Sequence, residues 1–379
     1  MGGEEVLHPP EGVGDHHEGH RLHAQVPALS LNIVTKYRDA LYGFAILWIV
    51  FFHANAIDNV DYSFGVHILR HFRTIMNNGS VGVDIFLFLS GISLYFSFRK
   101  GPTLDQYIKS RMSRVFLPLL IIDGGYWLVR CFFIQKRPEL FFTNITTLGL
   151  WETGDRMIWF VSLIVLLYFL YPYFYGFIYK SPNDMREVII RGIVLMVLTY
   201  VIITSFSFSN NKLYENWAIA ITRIPVFIFG CMMGKFVYDD KKIPGFFGLL
   251  SVVLTLIFFA VLHINLLHDI IRRYWFFAGG ISGAYALALV FSGIDRLCGK
   301  RDSLIIRFFN WMGGFSLELY LSHIMLNRLY RATSFYREGN LYRYTAMAVI
   351  AIISAWLASK LVDVIKRKID DKDREKEVA

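Results

Sequence analysis

Apolar residues run along this chain in long unbroken blocks rather than in strand-like alternation or a narrow helical stripe. Ala40 to Ala54 is one such block, with a single ionisable side chain, His53, close to its end. Val81 to Phe98 is another, with Asp84 near its start. Blocks of about 20 such residues have the length needed to cross a bilayer. Ten are predicted, at 40–56, 79–98, 114–134, 158–178, 188–206, 219–237, 245–264, 273–293, 304–327 and 344–363. The third is interrupted by Asp123, Gly124 and Gly125. The predicted fold is all-α, a polytopic integral membrane protein of about ten transmembrane helices.

Composition sharpens this picture. Of 379 residues, 55% are hydrophobic and only 18% are charged, too few charges for a soluble protein of this length. The blocks leave no room for a separate soluble domain. Residues 1–35 form a polar, His-rich tail (His8, His16, His17, His20, His23) predicted to be disordered, 36–365 the transmembrane domain, and 366–379 a charged tail. Val6 stands where a myristoylation signal opened by Gly2 needs Ser or Thr, and no signal peptide precedes the first block. Cys131, Cys231 and Cys298 fit neither a zinc site nor a disulfide framework, so no metal is expected.

The net charge of +9 lies in loops and tails, which points to topology rather than nucleic-acid binding. Most of the 39 Lys and Arg fall in the N-terminal tail, the even-numbered loops and the C-terminal tail, which predicts that both termini are cytoplasmic. The opposite loops keep Arg70, Arg73, Arg272, Arg273, Arg328 and Arg331, a cationic outer face suited to an anionic substrate or a lipid headgroup. Ordinary headgroup contacts explain them equally well.

Ionisable groups inside hydrocarbon are costly and rare, so they mark candidate sites. With the helical rise as a ruler, His53 lies about 18 Å up the hydrocarbon core and Asp84 about 7 Å below its outer boundary. On a ninth helix running straight from Leu304, Glu318 would lie about 21 Å up and His323 about 28 Å up, near hydrating headgroups. Packing accounts for His53 and Asp84 as readily as function does, and packing or hydration is the better account of His323.

The wording of the blocks resembles one family. YRDALYGFAILWIVFFHA (37–54) is similar to the first helix of the membrane acyltransferase-3 family. GVDIFLFLSGISLYF (82–96) is similar to its second helix, and YIKSRMSRVFLPL (107–119) to its Arg-x-x-Arg…Pro stretch. WFVSLIVLLYFLYP (159–172), RIPVFIFGCMMG (223–234) and GGFSLELYLSH (313–323) resemble later family patterns, in order. The resemblance implies transfer of an acyl group, often acetyl, from cytoplasmic acyl-CoA to a hydroxyl of an extracytoplasmic glycan or glycolipid. Acyl-CoA is then a substrate, no cofactor is bound permanently, and the membrane lipid is the remaining partner.

The first family helix carries Arg, ten residues, then His. Here the His is His53, but Tyr42 stands at the Arg position, and Arg38, one turn earlier on nearly the same face, is the nearest cation. A neutral imidazole suits a base that takes a proton from a sugar hydroxyl, or a carrier of the acyl group. Asp84 would hold that imidazole's tautomer. Ser90, Tyr168 and Trp159 are candidate donors to the thioester oxyanion. Arg111 and Arg114, beside Arg99 and Lys100, would bind the phosphates of coenzyme A. Two other classes compete. A proton-coupled transporter also uses membrane carboxylates and histidines, though no internal repeat stands out. A structural membrane subunit explains the packing but not His53 with Asp84.

Overall fold

The computed structural model describes residues 28–54, 75–209, 211–264, 267, 269–299, 303–331 and 341–378. The five tail histidines and Arg70 and Arg73 lie outside the described residues, as do the side chains of the last C-terminal cations. A short antiparallel pair, β1 (Ala28–Ser30) and β2 (Lys242–Pro244), ties the chain's start to a later loop. Everything else that is regular is helical.

The helices that frame the site are α1 (Arg38–Ala54), α2 (Val81–Phe98), α3 (Leu104–Ile122) and α4 (Gly124–Leu128), which runs on into a π-helical turn at Val129–Ile134. They are followed by α5 (Trp159–Ile178), α6 (Met185–Ser209), α7 (Asn211–Ile221) and α8 (Ile224–Tyr238), then α9 (Phe246–Ile264) and α10 (Asp269–Cys298). The last are α11 (Leu304–Gly313), α12 (Ser316–Arg331) and α13 (Leu341–Val378).

Among the described residues, seven spans are long and apolar enough to cross a membrane, with α7 and α8 together forming one of them. The bent pair α3–α4 would make eight. One expected crossing differs from the prediction, and the end of the first, at 55–56, lies outside the described residues. The ninth, expected as one helix over 304–327, is two, because the chain breaks at Gly314 and Phe315. The interruption at Asp123 is a 58° bend between α3 and α4.

α2 is apolar and buried on nearly every side, which makes it the central helix. Glycines bring its neighbours close, as at many helix crossings in membranes. A Cβ on Gly91 or Gly230 would overlap the backbone of the other helix in the α2–α8 pair, and Gly43 and Gly313 stand in the same relation across α1 and α11. α6 turns Ile190, Ile193, Val194, Val197, Leu198 and Val201 outward, a face suited to lipid.

Candidate active site

α1 runs the length of the site. Arg38 and Tyr42 lie at one end and His53 at the other, with Ile49 between on roughly the same face. Three adjoining cavities follow this helix. The first, about 350 Å³, is lined by Arg38, Asp39, Tyr42, Ser90, Ser93, Arg111, Arg114 and Tyr168. The second, about 310 Å³, shares Tyr42, Ser90, Arg114 and Tyr168 with the first and adds apolar walls from Phe86, Phe160 and Ile164, together with Glu318. The third, about 300 Å³, meets the second at Ile49, Val83 and Tyr320 and holds His53, Trp159, Arg223, Arg272 and Arg273.

The cationic end has a definite structure. Arg38 pairs with its neighbour Asp39 at 2.9 Å. Tyr42 stacks on Phe86, ring centroids 4.9 Å apart. Arg111 donates from Nη2 to Ser97 Oγ at 2.6 Å, while its Nε is buried with no hydrogen-bond partner. Arg114 lines both the first and second cavities and has no carboxylate partner among the described residues. The fold therefore brings Arg38, Tyr42, Arg111 and Arg114 to one cavity. Arg99 is not part of it, because its guanidinium stacks over Tyr238 at 3.8 Å.

At the other end the structure corrects two expectations. Asp84 does not hold the His53 imidazole. It is fully buried and pairs through Oδ2 with Arg223 Nε at 3.3 Å, leaving Oδ1 without a partner. The reason is electrostatic: a carboxylate enclosed on all sides needs a full counter-charge, and Arg223, at the head of α8, supplies it. Arg223 also donates to Ile219 O at 2.9 Å and lies over the Trp159 and Phe276 rings at 5.0 and 5.3 Å.

The partner of His53 is His323, which is buried rather than hydrated. The expectation failed because α12 starts afresh at Ser316, so a straight rise from Leu304 overstates the height of His323. His323 Nε2 lies 3.1 Å from His53 Nδ1, and His323 Nδ1 lies 2.9 Å from Leu319 O. A carbonyl only accepts, so His323 Nδ1 carries the proton and its Nε2 is a lone pair. His53 Nδ1 must then be the donor, which leaves the lone pair of His53 on Nε2.

The remaining candidates separate along the cavities. Ser90 and Tyr168 line the first two and are absent from the wall around His53. Trp159 lines the third. Glu318 faces the second cavity, one wall away from His53. Sequence reasoning missed Tyr320, whose buried hydroxyl has no hydrogen-bond partner and which lines both the second and third cavities. It also gave Arg223 no role. The signal for Arg223 was present, since a buried Asp84 implies a counter-ion and Arg223 opens an apolar block. Among the described residues no group of His, Cys, Asp and Glu could hold a metal.

A cationic cavity therefore lies at one end of the helical bundle and a histidine pair at the other, with a passage of mixed polar and apolar walls between them. The family model of the acyltransferase domain, acyltransferase-3, matches residues 36–360. The chain belongs to that family, and its apolar helices accord with an integral membrane protein. No curated protein and no solved structure matches the chain.

Proposed function

We propose that this protein is an O-acyltransferase that moves an acyl group, most simply acetyl, from cytoplasmic acyl-CoA to a hydroxyl of an extracytoplasmic glycan or related envelope acceptor. The observation that carries this reading is the run of three adjoining cavities from Arg38, Arg111 and Arg114 to His53. The nucleotide phosphates of the donor fit the cationic first cavity, where guanidinium groups bind phosphate in a planar, two-bonded way. The pantetheine arm fits the second cavity, with aromatic walls for its chain and Glu318 and Ser90 for its amides. The thioester then lies near Tyr320, and the acceptor enters the third cavity beside His53. By the distribution of Lys and Arg, the Arg38 end is cytoplasmic.

The chemistry follows from the tautomer. His53 Nε2 takes the proton from the acceptor hydroxyl as its oxygen attacks the thioester carbon. The carbonyl electrons move to oxygen, where the Tyr320 hydroxyl is the unpaired donor nearest the junction. As the tetrahedral centre collapses, the carbon–sulfur bond breaks and the proton on His53 passes to the leaving sulfur. An ester and free coenzyme A result, with no net proton.

The test is mass spectrometry of envelope glycans from cells carrying the wild type or His53→Ala. Loss of an acetyl-sized mass in the variant supports the enzyme. Unchanged glycans with altered solute uptake favour instead a proton-coupled transporter, which buried Asp84 and Asp123 would also serve.

A further inference from the structure

The third cavity says something about the acceptor. Three arginines line it, and no carboxylate among the described residues does. Arg223 is neutralised from behind the wall by Asp84. Arg273 makes contacts of its own. Arg272, one residue before it on α10, has no hydrogen-bond or ion-pair partner among the described residues. A half-buried guanidinium that faces a cavity and has no counter-charge among the described residues is suited to a ligand that supplies the opposite charge. Trp159 and Phe276, themselves buried, pack their rings against the Arg223 guanidinium and hold it in the cavity wall. A cavity of about 300 Å³ is enough for a small polar ligand or the end of a longer one.

We infer that the acceptor is itself anionic: a hydroxyl-bearing molecule that carries a phosphate or carboxylate, with Arg272 pairing the anion while the hydroxyl faces His53. This rests on the acyltransferase reading for the role of His53, but the anion site is testable without turnover. A neutral glycan would offer Arg272 only hydroxyl acceptors, a weaker contact than a charge-assisted pair. The charge therefore selects acceptors as well as holding them. The anion has two sources, an acidic saccharide or the phosphate of a hydroxyl-bearing lipid.

The experiment uses the full chain in nanodiscs of zwitterionic lipid. Calorimetric titrations compare cellobiouronic acid, its neutral counterpart cellobiose, and short-chain phosphatidylglycerol at low and high salt. The acid or the lipid should bind at least about tenfold tighter than cellobiose, the scale of one charge-assisted contact, and the advantage should shrink with salt. Arg272→Gln should remove the advantage, and Arg272→Lys should keep part of it. Preference for the acid identifies a saccharide source, and preference for the phosphatidylglycerol a lipid one. An acid-to-neutral ratio near one with no lipid binding overturns the inference, as does a preference that Arg272→Gln leaves intact. Coenzyme A thiol release is followed separately. Anion binding that depends on Arg272 without acyl transfer would keep this inference and remove the enzymatic reading. Transfer to neutral acceptors, unaffected by Arg272→Gln, would do the reverse.

Discussion

Replacing His323 tests the tautomer deduced for His53. His323→Phe keeps a planar ring in the same space but removes the Nε2 acceptor that lies 3.1 Å from His53 Nδ1. His53 then keeps only its backbone contact with Ile49, and its proton, held less firmly on Nδ1, can move to Nε2. That form presents a donor where a base is needed. A neutral hydrogen bond contributes about 0.5–1.5 kcal/mol, which biases the tautomers by about two- to tenfold. The imidazolium formed during transfer makes a stronger, charge-assisted bond of about 1.5–3 kcal/mol, and that is lost as well. Together these predict a fall in kcat of about 10- to 10²-fold, with the KM for acyl-CoA unchanged because the donor cavities do not include His323. His53→Ala should cost more, about 10²–10⁴-fold, since the base itself is gone.

The comparison that separates positioning from packing is His323→Gln. The glutamine amide reaches the level of the histidine Nε2, so its oxygen accepts from His53 Nδ1–H and part of the rate returns. His323→Asn is too short and should resemble Phe. The assay is coenzyme A thiol release by protein reconstituted in liposomes, with 15N spectra of labelled histidine to read the His53 tautomer. Wild-type kcat in His323→Phe refutes the reasoning. Equal impairment in Phe and Gln variants with an unchanged His53 spectrum also refutes it, by reducing His323 to a packing residue.

Three further outcomes follow from the same geometry. Tyr320→Phe, which removes one hydroxyl from the junction of the second and third cavities, should lower kcat by about 10²-fold with coenzyme A affinity intact; full activity would exclude it as the oxyanion donor. Asp84→Leu strands the Arg223 guanidinium in a buried site and should cost about 3–5 kcal/mol, whereas adding Arg223→Met should recover much of the thermal stability; a double variant no more stable than the single one would show that the pair is not coupled. Arg111→Gln with Arg114→Gln should weaken coenzyme A binding and flatten its salt dependence, as read by titration, and unchanged affinity would make these arginines a topology signal only.

What the sequence made legible was local. The apolar blocks of α2, α5 and α8 announced themselves by length, and His53 and Asp84 by being ionisable within such blocks. The gathering of Arg38, Tyr42, Arg111 and Arg114 was expected from the resemblance, and they line one cavity. The pairings were not legible, because they are long-range. Arg223 lies 139 residues from Asp84, and His323 lies 270 from His53. No periodicity within either helix encodes which helix stands beside it. The break before α12 was written in the sequence as Gly313 and Gly314, yet apolar residues continue on both sides, so the block reads as one crossing. That single misreading raised His323 toward the headgroups and hid the pair it forms.

The placement of both ends of the site on α1 has a mechanical consequence. Fifteen residues of helix separate Arg38 from His53, about 22 Å along the axis, and they return the chain to within roughly a sixth of a turn of the same face. On the proposed reading, this rigid helix is the ruler between the cations that would bind phosphate and the base. An extended donor arm would then have to match that ruler rather than a flexible loop. The close crossings at Gly43 with Gly313, and at Gly82 against the Ala45 backbone, hold α1 against α11 and α2 along this length. The substitution of Tyr42 for the family Arg leaves the ruler unchanged. It moves the nearest cation on this helix one turn, about 6 Å, further from His53. There Arg38 pairs with Asp39, whereas Arg114 has no carboxylate partner among the described residues, so on the proposed reading Arg114 would carry more of the phosphate binding.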